Sequence, residues 1–151
     1  MRRLFFIILS ILFLGSGLII AQTNRFSITN SGWGRLEHGI KVGLAPYESS
    51  VAEIDIHRWV TAKGEIVIDE KDNLLTIRLP EKEIIYTLLT DSYVHQDRIG
   101  WNYVERQALE NDRTFCRVWI CTHEQGDHQI LVLYNSFVQG YKIVSTGNPI
   151  E

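Results

Sequence analysis

The feature that most limits what this chain can fold into is its punctuation. Beyond Ala21, turn-forming residues recur roughly every eight to twelve positions: Asn30-Ser31-Gly32, Ala45-Pro46, Lys63-Gly64, Asp72-Asn73, Leu79-Pro80, Glu110-Asn111-Asp112, Gln125-Gly126-Asp127 and Gly147-Asn148-Pro149. Intervals that short suit strands. Between them apolar residues alternate with a period of two. Leu75, Ile77 and Leu79 alternate with Thr76 and Arg78; Ile84, Tyr86 and Leu88 lie opposite Ile85, Thr87 and Leu89. Cys116, Val118 and Ile120 oppose Arg117, Trp119 and Cys121; Ile130, Val132 and Tyr134 oppose Leu131 and Leu133; Tyr141 and Ile143 flank Lys142. Residues 51–60 read as a further strand, with Ile54 and Ile56 opposite Asp55 and His57.

Several of these segments are apolar on both faces, as strands are when buried on both sides or packed in a tightly curved sheet. Helix candidates are confined to Tyr103–Asn111, which reads equally as a strand end and a loop, and the stretch around Leu36–Val42. The expectation is a mainly β domain: a small antiparallel barrel or bent β-sandwich, with at most one or two short helices.

The first 21 positions, Met1–Ala21, have a different character. Arg2 and Arg3 precede an apolar run from Leu4 to Leu14 that only Ser10 interrupts, then Gly15, Ser16 and Gly17, and a small residue, Ala21. This is the three-part pattern of a secretory signal peptide. An uncleaved anchor is the alternative, because Leu4–Ala21 nearly matches the roughly 20 apolar residues that span a bilayer. Cleavage after Ala21 leaves Gln22–Glu151 as a single β domain with no membrane span. It also removes two positive charges, which takes the formal net charge from -3 to -5. The chain carries 45% hydrophobic and 22% charged residues, a mixture that builds a packed core and excludes a disordered tail. An acidic balance argues against nucleic acid as a partner.

Cys116 and Cys121 are five apart in one predicted strand, which sets them roughly 16 Å apart and on opposite faces. A disulfide tolerates a Cα separation of only ~7 Å, so they read as two small buried residues. A bulge or turn at Arg117-Val118 would bring the pairing back into reach.

Chemistry-bearing residues are few. His123 and His128 bracket a predicted hairpin loop, Glu124–Asp127, and would face each other across the ladder at roughly 5 Å. Such a pair could hold a divalent metal, with Asp127 or Glu124 as a third ligand; a polar hairpin tip turning on Gly126 is the simpler reading. Asp55 and His57 point the same way on a strand, like the acid–histidine half of a hydrolytic triad. No Gly-x-Ser-x-Gly nucleophile accompanies them. The richer resource is aromatic: Trp33, Trp59, Trp101, Trp119 and Tyr103 are candidates to stack on a sugar ring or line a pocket for an apolar ligand.

Ser31-Gly32-Trp33-Gly34 and Thr90-Asp91-Ser92-Tyr93 resemble the calycin (lipocalin-like) pattern of an early Gly/Trp and a mid-chain Thr-Asp, although here the glycine and tryptophan adjoin and no late Arg motif stands out. That resemblance implies a ligand-holding barrel. From about Gly64 to Val144 the succession of acidic turn, two apolar strands, aromatic patch, Cys-bearing strand and Tyr-ended strands is similar to short exported β proteins of unknown function from Gram-negative bacteria. It implies the fold and the address, and carries no catalytic motif.

The expected function is therefore a non-catalytic, exported β domain, periplasmic or secreted, that binds a small ligand or a partner protein of the cell envelope and needs no cofactor. The rival is a small metal-dependent or hydrolytic enzyme using His123 and His128, or Asp55 and His57.

Overall fold

The computed structural model describes residues 23–36, 54, 56–89, 93–96 and 99–146. The signal segment, Ala45-Pro46, Asp55, the Thr90-Asp91-Ser92 triplet, the final turn at Gly147 and all but the first residue of the Leu36–Val42 helix candidate lie outside them.

Among the described residues there are strands and no helix: β1 (Thr23–Arg35), β2 (Val60–Asp69), β3 (Leu74–Leu79), β4 (Lys82–Leu88), β5 (Tyr93–Gln96), β6 (Trp101–Glu110), β7 (Thr114–His123), β8 (His128–Leu133) and β9 (Phe137–Ser145). Every pairing is antiparallel and the sheet runs β4-β3-β2-β1-β9-β8-β7-β6-β5. A short ladder between β4 and β6, Tyr86–Leu88 against Ala108–Glu110, closes it into an eight-stranded barrel. β5 lies outside the ring, taking up the same edge of β6 further along, at Asn102–Glu105. Of the two architectures expected, the barrel is the one formed.

The alternation read from the sequence sorts side chains between the lumen and the outer wall. Ile28, Ile66, Ile68, Leu75, Ile77, Ile84, Tyr86, Leu88, Ala108, Cys116, Val118, Ile130, Val132, Tyr141 and Ile143 form one buried cluster supplied by every strand of the ring. Eight strands enclose a space that side chains can fill, and these do: most are fully buried. Near one end of the lumen Tyr134 donates its hydroxyl proton to Glu110, which leaves Tyr86, 2.8 Å away, to donate to Tyr134. Burial raises the pKa of both phenols and pushes the Tyr141 phenol and the Cys116 thiol up to about 12.

The outer wall has two unlike halves. Across β1–β4 it carries a ladder of ion pairs: Arg25 to Glu65 at 2.8 Å, Glu65 to Arg78 at 3.1 Å, and Arg78 to Glu83 at 2.8 Å. On this half, an apolar lumen behind a charged wall is the reverse of the outward-facing apolar band of a membrane-spanning barrel. No helix of the described residues is long and apolar enough to cross a membrane. Across β6–β9 the wall is apolar instead. Tyr103, Trp119, Cys121, Leu131, Leu133 and Val138 form a second buried cluster, with Leu36, Ile54, Ile56, Trp101 and Phe115 packed against it. Cys116 and Cys121 are both free, one in each cluster, as an extended strand requires.

Four expectations need correction. Tyr103–Asn111 contributes a strand, because its helix-forming Glu105-Arg106-Gln107-Ala108 is held along a ten-residue ladder with β7. Asn30-Ser31-Gly32 and Lys63-Gly64 lie within strands, not turns: Gly32 pairs with Gly140 and Gly64 with Ile28. Residues 56–59 form no strand; β2 begins at Val60. Finally, the β7–β8 loop is Glu124–Asp127 as expected, but the histidines that flank it do not face each other: His128 pairs with Thr122. Gly126, at φ 97°, donates to the His123 carbonyl at 2.9 Å, and His123 N–H donates to Asp127 at 2.8 Å. Glycine in the left-handed position closes the turn.

Candidate functional site

That register decides what the hairpin histidines can do. His128 pairs with Thr122, not with His123, and adjacent strand residues point to opposite faces. The two rings therefore do not meet. The Gln125 amide donates to His123 Nδ1 at 3.1 Å, so the ring proton is on Nε2, which donates to the Ile99 carbonyl at 3.0 Å. Both nitrogens of His123 are engaged within the protein. His128 Nδ1 is 3.3 Å from the Thr122 hydroxyl. Among the described residues no group of three or more His, Cys, Asp or Glu is placed to hold a metal ion. His57 is exposed, and its backbone N–H donates to the Trp33 carbonyl at 3.2 Å.

The candidate aromatics separate into three places. Tyr103 stacks on Trp119 with ring centres 4.5 Å apart, and His95 stacks on Tyr103 at 4.8 Å. Trp119 is fully buried, and its indole N–H donates to Glu105 at 2.6 Å. Glu105 also accepts from Arg117 at 2.6 Å, a buried ion pair on the outer wall. This stack is core. Trp33 is half exposed and lies on the opposite face of β1 from Gly32, edge-on to His57. Trp59 and Trp101 remain, and they line one groove.

The groove is a cavity of about 560 Å³ on the outer wall, within the range of small-molecule sites. Its floor is β8 and β9, where Gln129, Leu131, Lys142 and Val144 point outward; one wall is Ile54, Ile56 and Trp59, and Trp101 stands at another. Asp127 and His128 close the end nearest the β7–β8 loop, and Thr29 borders it from β1. The chain builds this space through a bulge and a pair of glycines. The register of β1 shifts between Ile28 and Asn30, so that Ile28 faces the lumen while Gly32 faces out. Gly32 and Gly140 then leave a bare patch of backbone on which Ile56 and Trp59 lie. Over the Trp59 ring, 4.9 Å from its centre, stands the Lys142 ammonium.

Comparison with known proteins adds no relative to this geometry. No protein family, curated protein or solved structure matches the chain. The site has to be read from its own residues.

Of the residues singled out in the sequence, the groove thus unites Trp59, Trp101, Asp127 and His128, and excludes Trp33, Trp119, Tyr103 and His123. Lys142, Gln129 and Leu131 were not foreseen. Alternation marks Lys142 and Leu131 as lying opposite their lumen-facing neighbours, but only the β8–β9 register sets them beside Trp59.

Proposed function

We propose that this protein is a non-catalytic binding module of the cell envelope that holds a small ligand with a flat apolar face in the outer-wall groove. One observation carries the reading: two tryptophans and Leu131 border an open cavity, while the lumen, where a barrel would otherwise keep a ligand, is filled by Leu75, Ile77, Tyr86, Val118, Ile130 and Val132. Tryptophan offers a large rigid face at low entropic cost. Export is the part of the proposal supported by sequence, through Arg2, Arg3, the apolar run and Ala21.

Fluorescence titration with dansylamide, an uncharged aromatic probe, tests it. The account requires saturable binding of one probe per chain, weakened at least tenfold by Trp59→Ala or Trp101→Ala and unchanged by Trp33→Ala. Ten-fold corresponds to about 1.4 kcal/mol, the scale of one lost aromatic contact. Binding that survives both groove changes would overturn the assignment. Mass spectrometry of the exported protein should find Gln22 at its N-terminus; an intact Met1 in a membrane fraction would overturn the address.

A further inference from the structure

Two charged residues of opposite sign, Lys142 and Asp127, line the groove. Arg25, Glu65, Arg78 and Glu83 are tied to one another, Arg106 to Glu70 and Arg117 to Glu105. Among the described residues Lys142 and Asp127 have no ion-pair partner. Lys142 is paired with Gln129 on β8, and Asp127 lies two positions before Gln129, in the loop that leads into β8. Both line the same groove, so both can reach one small molecule. The Trp59 ring beneath Lys142 holds the ammonium at the groove's edge by a cation–π contact. One positive and one negative group, neither held in an ion pair, therefore flank an aromatic and aliphatic wall.

A hydrocarbon would leave both charges unanswered, and a purely anionic or cationic ligand would answer one and repel the other. We propose that the groove selects a zwitterion of the amino-acid class with a bulky apolar side chain. Its carboxylate lies on Lys142, its ammonium on Asp127, and its side chain against Trp59, Trp101 and Leu131. This inference rests on the groove being a ligand site, and the test separates the two.

Four probes share one aromatic body: dansylamide (uncharged), dansylglycine (anionic), dansylcadaverine (cationic) and Nε-dansyl-lysine (both charges). Nε-dansyl-lysine should bind tightest, by roughly fivefold over either singly charged probe, the scale of one partly exposed charge pair. Lys142→Met should weaken dansylglycine and Nε-dansyl-lysine by several-fold more than it changes dansylamide or dansylcadaverine. Asp127→Asn should instead weaken dansylcadaverine and Nε-dansyl-lysine by several-fold more than it changes dansylamide or dansylglycine. Both side chains are on exposed residues, so neither change threatens the fold. If dansylamide binds as well as the charged probes, the groove stands and the zwitterion does not. If dansylglycine binds tightest and Asp127→Asn improves it, the groove is an anion site and the proposal is wrong. If none of the four binds saturably, the groove reading fails and takes this inference with it.

Discussion

Gly32 faces Gly140 across the β1–β9 ladder, and the pair forms the bare patch on which Trp59 and Ile56 rest. A Cβ on Gly32 would stand 2.6 Å from Ile56 Cγ2 and 2.7 Å from the Arg58 carbonyl oxygen; one on Gly140 would stand 2.8 Å from Trp59 Cη2. Backbone yields less readily than a side chain, so Gly32→Ala should be the harsher change. It is expected to cost roughly 1–3 kcal/mol, the usual penalty for overpacking, and to weaken dansylamide by shifting the 56–59 wall. Urea denaturation and titration of the same variant check both effects. Unaltered stability would mean that residues 56–59 do not rest on the glycines.

The Glu105–Arg117 pair makes a sharper energetic prediction. Both side chains are almost wholly buried, and removing one partner of such a pair leaves a buried charge without its counter-ion, at roughly 3–5 kcal/mol. Arg117→Met should lose that much in chemical denaturation. The double variant Glu105→Gln/Arg117→Met should be more stable than Arg117→Met alone, because the stranded carboxylate is gone. A single-variant loss under about 1 kcal/mol, typical of exposed pairs, would contradict the burial.

Glu65 should tie stability to acidity. Its hydrogen bond from Arg25, with further help from Arg78 and against a smaller opposing effect of burial, holds its carboxyl below the ordinary value of 4.5. A group with a depressed folded pKa contributes stability above its unfolded value and loses it as pH falls through the folded one. The stability gap between the native protein and Glu65→Gln should therefore be full at neutral pH and shrink as pH drops below 4.5. Denaturation curves across that window check it; a gap independent of pH would show that the charge of Glu65 contributes nothing.

How much of this was legible depends on where the information lies. Strands β3, β4, β7, β8 and β9 announce themselves by alternation, because one side of each faces a packed lumen. β1 and the start of β2 do not: Gly32 and Gly64 look like turn formers when what their positions demand is close approach. β6 is written in helix-forming residues and becomes a strand through its partner β7. The ring closure rests on the short β4–β6 ladder, which leaves no mark in either strand. At the site, composition points to tryptophan, but which tryptophans share a surface is fixed by the β1 bulge and the β8–β9 register. The hairpin histidines illustrate the same limit, since the loop falls where expected but the register sets His128 beside Thr122 and turns His123 and His128 to opposite faces.

The chain contains four tryptophans, and the account assigns each a different environment, so their indole N–H resonances report on the central claim directly. Titrating the ¹⁵N-labelled protein with dansylamide should move the Trp59 and Trp101 signals together, at one common affinity. The Trp119 signal, from an indole bonded to Glu105 inside the outer cluster, and the Trp33 signal should stay in place. Shifts at Trp33, or at lumen residues such as Ile130 and Val132, with Trp59 and Trp101 unmoved, would contradict the outer-wall groove as the binding site.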